Sequence, residues 1–291
     1  GTARPGVSDA DELFVTASPA PVARFEPTTA PHVSFVVVTY GTGWVVIEML
    51  ASLAATVGST PVEVVVVDNP HPRLPQRVVA ELLLATAGVT VVRPASNLGF
   101  AGGCELGVRH TRGTTLGFVN PDVVFPAGWL DPLLAVLDGA DPPTIVAPVL
   151  IDPDGAIQEA GQTLDRTATA WANVTDPGDA LIDVEYASAA CWLVRRAEHD
   201  RIGGFDSAYH PAYYEDVDYA WRVRRDGGRT AVHGGVRVVH HRGSGTPGRP
   251  PSLDSQLATL RAAWPQLATT QPSPEELAAA GWRSSRQLPA H

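Results

Sequence analysis

Val33–Thr39 and Pro61–Val67 are almost unbroken runs of apolar, β-branched residues, and each stops abruptly on polar side chains, Thr39-Tyr40 and Asp68-Asn69. Apolarity without alternation describes strands covered on both faces, which belong to parallel sheets layered by helices. Helical stretches at Trp44–Ala55 and Pro75–Thr86 punctuate these runs. A strand at Val89–Arg93 follows, then the glycine-rich Asn97–Gly107, which leads into a short helix ending near Gly113. Thr115–Val119 reads as a strand stopping at Asn120-Pro121-Asp122, Gly128–Leu137 as a helix and Thr144–Pro148 as a strand. The alternation predicts an α/β fold with a Rossmann-like, mostly parallel central sheet flanked by helices. Ligands of such sheets bind off the carboxyl ends of the strands. Polar residues recur at those ends: Thr39-Tyr40, Asp68-Asn69, Ser96-Asn97, and Asn120 with Asp122.

The second half changes character. Asp152–Thr175 reads as polar and loop-rich, Ala189–Val194 as a short strand, and Arg195-Arg196 as the start of a helix ending near Gly203-Gly204. Glu215–Arg225 has acids in its first turn, arginines in its last and Gly227-Gly228 beyond it, the signature of a complete helix. Arg229–His240 reads as strand, and Leu253–Trp264 and Glu275–Trp282 as amphipathic helices. The expected organisation is a flexible arm over 1–31 with one short paired piece around Leu13–Val15, an α/β domain over 32–245 whose halves 32–150 and 151–245 differ in character, and a Pro-rich helical tail over 246–291.

Composition narrows the function. With 21 Lys and Arg against 31 Asp and Glu, the net charge of −10 disfavours a nucleic-acid surface and strong docking to anionic lipid. No apolar run approaches the ~20 residues of a membrane span. Cys104 and Cys191 fit no metal-ligand spacing, so a reduced, cytoplasmic protein is expected, with a peripheral place on the inner membrane face as the alternative.

Taken singly, the polar motifs are ambiguous. Asp122, on a proline turn after a buried strand, suits a hard divalent cation bridging diphosphate oxygens, but Asn-Pro-Asp is also ordinary turn chemistry. Asp68 could accept hydrogen bonds from a nucleobase or ribose, or cap a turn. The Asn97–Gly103 loop lets backbone approach a phosphate or sugar, yet a loop built only for turning would look the same, and it lacks the G-x-G-x-x-G spacing. Glu215, Asp216 and Asp218 are explained in part by helix capping. The same dipole would keep Asp216 ionised at neutral pH, as a base for an acceptor hydroxyl must be. His240 or His241 could complete a metal site begun by Asp122. Arg222, Arg224 and Arg225 are phosphate contacts or plain helix design.

Order and spacing decide more than any single motif. Val36-Val37-Val38-Thr39-Tyr40, Val66-Val67-Asp68-Asn69, Asn97-Leu98-Gly99-Phe100-Ala101-Gly102-Gly103 and Val119-Asn120-Pro121-Asp122 occur in that order. Arg195-Arg196, Gly203-Gly204-Phe205-Asp206, Tyr213-Tyr214-Glu215-Asp216-Val217-Asp218 and His240-His241 follow them. From about Val33 to Ser244 the chain resembles family 2 glycosyltransferases of the GT-A fold, nearest their rhamnosyltransferase-like branch, which builds polysaccharide. The resemblance implies a metal-dependent, inverting transfer of rhamnose or another hexose from a dTDP- or UDP-sugar, with Mn²⁺ or Mg²⁺ as cofactor. It implies Asp216, with Glu215, as catalytic residues and Asp122 and His240 as metal ligands. Thr39, Tyr40, Asp68, Asn69, Asn97, Gly99, Phe100, Gly102, Gly103 and Asn120 would line the donor pocket.

Two departures bear on this expectation. Glu105 stands where such proteins often have Asn, which touches the donor pocket, and His233-Gly234 replaces a common proline turn. The C-terminal segment, Pro- and Ala-rich and without lysine, points away from a lipid-linked acceptor and toward a small-molecule or glycan acceptor, as in natural-product biosynthesis. The competing readings are a nucleotide-sugar-binding protein that has lost catalysis, and a nucleotidyltransferase, for which a Lys- and Arg-rich triphosphate loop is missing.

Overall fold

The computed structural model describes residues 22–42, 45–72, 86–242 and 253–284 of the 291. The first strand, β1 (Val33–Tyr40), pairs in parallel with β2 (Val62–Asn69) and β4 (Thr115–Val119), and β2 with β3 (Val89–Val92). Their unbroken apolarity is used on both faces. Val36, Val38, Val65 and Val67 face one core with α2 (Gly99–Val108), and Phe35, Val37, Val64 and Val66 face the other with α1 (Val45–Thr56) and α3 (Leu130–Leu137). Each large apolar side chain so enclosed contributes roughly 1.5–3 kcal/mol relative to exposure.

The expected parallel sheet is thus present as β3-β2-β1-β4. Beyond β4 the order continues β11 (Cys191–Arg195), β6 (Ile145–Ile151), β12 (Thr230–His240) and β10 (Leu181–Val184), and here β11 and β10 run antiparallel to their neighbours. Strand β12 is parallel to β6, so the end of β12 returns to the same edge as the ends of β1, β2 and β4. Two short strands join at that edge: β5 (Val123–Val124) on β12, and β7 (Ile157–Glu159) on β6. Helix α4 (Arg196–Ile202), a 3₁₀ turn at Ser207–Tyr209 and α5 (Glu215–Arg225) cover the α2 face.

Three expectations change. Asp152–Thr175 is not loop: besides β7 it forms β8 (Gln162–Leu164) and β9 (Ala170–Ala172). Short strands with buried Thr163, Asp165 and Thr169 escape a periodicity search, because their polar side chains are satisfied internally. The C-terminal segment is helical at α6 (Asp254–Ala263), α7 (Leu267–Thr270) and α8 (Pro274–Ala279), but it also supplies β13 (Arg283–Ser284), which pairs with β9 in a second, three-stranded sheet. In the segment expected to be an arm, Ala23 and Phe25 are buried and exchange backbone hydrogen bonds with Ala87. The paired piece at Leu13–Val15 and most of the helix at 75–86 lie outside the described residues.

Close packing of α2 on the sheet sets one prediction. A Cβ at Gly107 would stand 2.4 Å from Val36 Cγ1, and Val36 is wholly enclosed. Alanine would gain helix propensity of up to about 1 kcal/mol, but overpacking costs about 1–3 kcal/mol. Gly107→Ala is therefore expected to lower stability by about 1–2 kcal/mol, read as a lower urea midpoint at unchanged m-value.

Candidate active site

The parallel register aligns the strand ends in a row. Thr39 lies opposite Asp68, and Arg93 follows Val92, the partner of Val67. The row is bonded: Thr39 Oγ1 donates to Asp68 Oδ1 at 3.1 Å, and Arg93 Nε and Nη2 donate to Asp68 Oδ2 at 3.2 and 3.0 Å. Thr39 is enclosed, so its hydroxyl orients Asp68, while Arg93 stays half exposed. Tyr40 packs edge-on against His71, ring centroids 4.6 Å apart. Arg93 and His71 were not singled out from sequence, although their places beside strand ends were a usable signal.

The glycine-rich segment is held by the asparagines expected to contact a ligand. Asn69 Oδ1 accepts from Leu98 N and its Nδ2 donates to Gly99 O, while Asn97 Oδ1 accepts from Gly99 N. Asn69 is buried. Both side chains therefore fix the loop. Gly99 has φ 71°, and a Cβ there would meet Pro211 O at 2.4 Å. Phe100 N donates to that same oxygen, which docks the loop against the segment leading to α5. Gly103 lies over Val38, where a Cβ would be 2.8 Å from Cγ1. Glu105 turns away from this edge: its Oε1 accepts from Phe205 N at 2.8 Å and lies 3.3 Å from His199 Nε2. The departure at Glu105 thus fastens α2 to the Gly203-Gly204 turn.

Asp122 and His240 are brought together by the pairing of β5 with β12. His240 stands opposite Val123, and His241 N donates to Asp122 O. Of the two histidines it is His240 whose ring faces the carboxylate, Nε2 lying 3.4 Å from Asp122 Oδ1, with Asp122 buried. Gln158, from β7, sets the ring. Its Nε2 donates to Asp152 Oδ1 and to His240 O, both acceptors only, so its Oε1 is left facing His240 Nδ1 at 3.0 Å. In the neutral ring Nδ1 then carries the proton, and the Nε2 lone pair points at the carboxylate. Two acceptors face each other there, an arrangement that calls for a cation between them, either a proton on Nε2 or a metal ion. The donor set, one carboxylate and one imidazole braced by an outer amide, fits a divalent cation. Among the described residues, no group of three His, Cys, Asp or Glu is placed to hold one without help from a ligand.

The acids of α5 divide by role. Asp218 accepts from Arg222 Nε and from Trp264 Nε1, and Arg222 also donates to the carbonyls of Ile202 and Gly204. Arg225 bonds Asp226 and lies over Trp264. These two arginines fasten the helix to its surroundings. Asp216 accepts from Val217 N at 2.8 Å and from the Ala189 backbone, while Asn120 N donates to Ala190 O. Two successive residues thus tie Asp216 to the Asn120–Asp122 turn. Burial pushes the Asp216 carboxyl up to about 6 against its backbone donors, so the helix dipole does not hold it at an ordinary carboxylate value. Glu215 is pushed up further, by burial first and then by the charge of Asp216.

Glu159 is a third carboxylate that the sequence did not flag. It is buried, accepts from Ser188 N and Gln162 Nε2, and feels the charges of both His240 and Asp216; burial raises its pKa. The backbone leading into α5 is strained. Tyr213 and Tyr214 have φ 84° and 70°, conformations that cost a side-chain-bearing residue roughly 1–2 kcal/mol each.

Residues 34–203 match the model of the family described as glycosyl transferase family 2. An N-acetylglucosaminyl-diphospho-decaprenol L-rhamnosyltransferase of Mycobacterium tuberculosis is 28% identical over 246 residues, which cover 75% of this chain and 78% of that one. Among solved structures, GalNAc-T7 with UDP, GalNAc and Mn²⁺ superposes with a TM-score of 0.67 at 17% identity, over 81% of this chain and 49% of that one. The mannosyltransferase PcManGT from Pyrobaculum calidifontis, in complex with GDP-Man and Mn²⁺, gives 0.53 at 20% identity, over 89% and 81%. These likenesses establish the GT-A fold.

Proposed function

Because this chain belongs to glycosyl transferase family 2 and is a glycosyltransferase, we propose the finer reading that it moves a hexose, rhamnose as the first guess, with inversion and with help from a divalent cation. The donor is a nucleoside-diphosphate sugar and the acceptor a hydroxyl. The observation that carries this is the convergence of Asp122, His240 and Asp216 on one sheet edge, joined through Ala189 and Ala190.

The nucleoside would lie against the Thr39–Asp68–Arg93 row, where a rigid carboxylate and a guanidinium offer an acceptor and a donor to its polar edge. The Gly99–Gly103 segment leaves backbone room beside it. Asp122 and His240 would hold Mn²⁺ or Mg²⁺ together with diphosphate oxygens, and the imidazole favours Mn²⁺. When bound, such a cation supplies charge neutralisation for the departing diphosphate. Asp216 takes the proton of the acceptor hydroxyl as its oxygen bonds to the anomeric carbon and the bond to the diphosphate breaks. Attack from the face opposite the leaving group inverts the centre. A carboxyl with pKa near 6 suits this task, since the best base lies near the working pH.

The relative's name specifies rhamnose and an acceptor carried on decaprenyl diphosphate. For this chain the proposed donor is dTDP-rhamnose, with UDP-sugars next, and the proposed acceptor is a glycan or small molecule. Among the described residues no helix is long and apolar enough to cross a membrane. A cytoplasmic place, peripheral to the membrane if the acceptor is lipid-borne, completes the reading. Of the two features that favoured a non-catalytic alternative, Glu105 and the unusual C-terminal tail, the first is accounted for by its contacts with Phe205 and His199.

Calorimetry against a nucleotide-sugar panel, with and without Mn²⁺, followed by turnover on lipid-linked and soluble acceptors, tests the reading. Binding that ignores the cation and the sugar would overturn it. In the same titration Arg93→Ala is expected to weaken donor binding about tenfold while kcat changes little, because a charge-assisted contact to the bound ground state is lost.

A further inference from the structure

Tyr213 and Tyr214 share positive φ with one other non-glycine residue among those described, Ala168 at 66°. The two strained sites touch. Tyr214 Oη donates to Ala168 O at 3.0 Å, across 46 residues of sequence. Tyr214 is also the N-cap of α5, and it offers no side-chain cap to the helix. A helix start normally draws on an extended residue whose own side chain accepts from the first turn. Here the hydroxyl of the capping residue bonds away from the helix, to the turn between β8 and β9.

The far end of that bond is built to be rigid. Asp165, 1% exposed, accepts from Thr167 N at 2.7 Å, Thr167 Oγ1 at 2.6 Å, Thr169 N at 3.0 Å and Trp171 Nε1 at 2.9 Å. Its carboxyl stays below the usual range, since these bonds outweigh the opposing burial. Arg166 N donates to Pro272 O and Arg261 Nη2 to Thr167 O, so the C-terminal segment braces the same turn. At the near end, Asp218 N donates to Tyr214 O, and Asp216 lies two residues along. A strained conformation persists only where its surroundings over-determine it.

We propose that Tyr214 is a positioning residue: its hydroxyl, clasped by the Asp165–Thr169 turn, holds the start of α5 in the left-handed conformation that aims Asp216 at the acceptor. The placement of the base thereby depends on the β8–β9–β13 sheet as well as on the donor-binding sheet, to which Ala189 and Ala190 tie it. The inference rests on Asp216 being the base. It adds that residues remote from the donor govern turnover and leave donor binding alone.

Tyr214→Phe, which removes the hydroxyl alone, tests the clasp in the whole 291-residue chain. Hydrogen–deuterium exchange over residues 212–220 is expected to quicken about tenfold, with residues 33–69 unchanged, the loosening that loss of one of the bonds holding the segment would give. Release of nucleoside diphosphate from dTDP-rhamnose or UDP-glucose is expected to slow about tenfold, while calorimetric affinity for dTDP or UDP stays within about twofold. Tyr214→Gly would also strip the ring that packs on the core, so stability is controlled in Tyr214→Phe itself, whose thermal midpoint is expected to stay within about 5 °C of wild type. Unchanged exchange over 212–220 overturns the clasp whatever the turnover. Quickened exchange with wild-type turnover overturns its positioning role. Asp216→Asn runs alongside: an active Asp216→Asn removes the base on which the inference rests, whereas an inactive one beside a fully active Tyr214→Phe removes the inference alone.

Discussion

Asp216→Asn is expected to lower kcat by about 10²–10⁴-fold, the range for loss of a positioned general base, with nucleoside-diphosphate affinity unchanged. The wild-type pH profile carries the same signature. The base works deprotonated and its carboxyl sits near 6, so kcat/KM should climb through about pH 6 and level off above it. That limb should vanish in Asp216→Asn. Stability moves the other way. Burial raises the folded pKa of Asp216 above its unfolded value, so the folded state binds the proton more tightly. The associated stability is fully present at low pH and is lost as pH rises from the usual Asp range through about 6. Asparagine never ionises, so Asp216→Asn should melt at a higher temperature than wild type at pH 8 and differ little at pH 4. A variant both inactive and more stable above pH 6 would mark Asp216 as a site where folding and function oppose each other. Wild-type turnover, or a melting difference that ignores pH, would contradict the assignment.

The second large effect belongs to Asp122. Asp122→Ala is expected to abolish Mn²⁺-dependent tightening of nucleoside-diphosphate binding and to lower turnover by about 10²–10³-fold, because the leaving diphosphate would lose a charge interaction worth several kcal/mol. The readout besides activity is calorimetric: wild type should bind dTDP or UDP more tightly with Mn²⁺ than without, and Asp122→Ala equally in both. Removing Asp122 also removes the carboxylate 3.4 Å from His240 Nε2. The variant should therefore be checked for folding by its thermal midpoint before its binding is read. A cation effect that survives the substitution would place the metal elsewhere.

Much of the donor half was legible in the sequence. The β1 and β2 runs could only be strands covered on both faces, and a parallel register carries their ends to one edge. Thr39, Asp68, Asn97, Asn120 and Asp122 follow in that row by arithmetic. Helix α5 was equally plain from its acidic start and basic end. The acceptor half was not, because its order depends on polar side chains satisfied by distant partners. Thr163, Asp165 and Trp171 form small strands and turns that no hydrophobic period announces.

The sequence by itself determined the α/β layering, the order of the strand-end motifs and thereby the family. Those follow from local apolar pattern and from spacing. Only the tertiary structure decided which polar residues are free to act. Asn69 and Asn97 are spent on fixing the glycine-rich loop, and Glu105 on the Gly203-Gly204 turn. His240 and not His241 faces Asp122, since Gln158, 82 residues away, sets its ring. The proton affinity of Asp216 was beyond reach for the same reason. The helix dipole is local and could be read in advance, but desolvation is the sum of everything packed around the carboxyl, and here it outweighs the dipole.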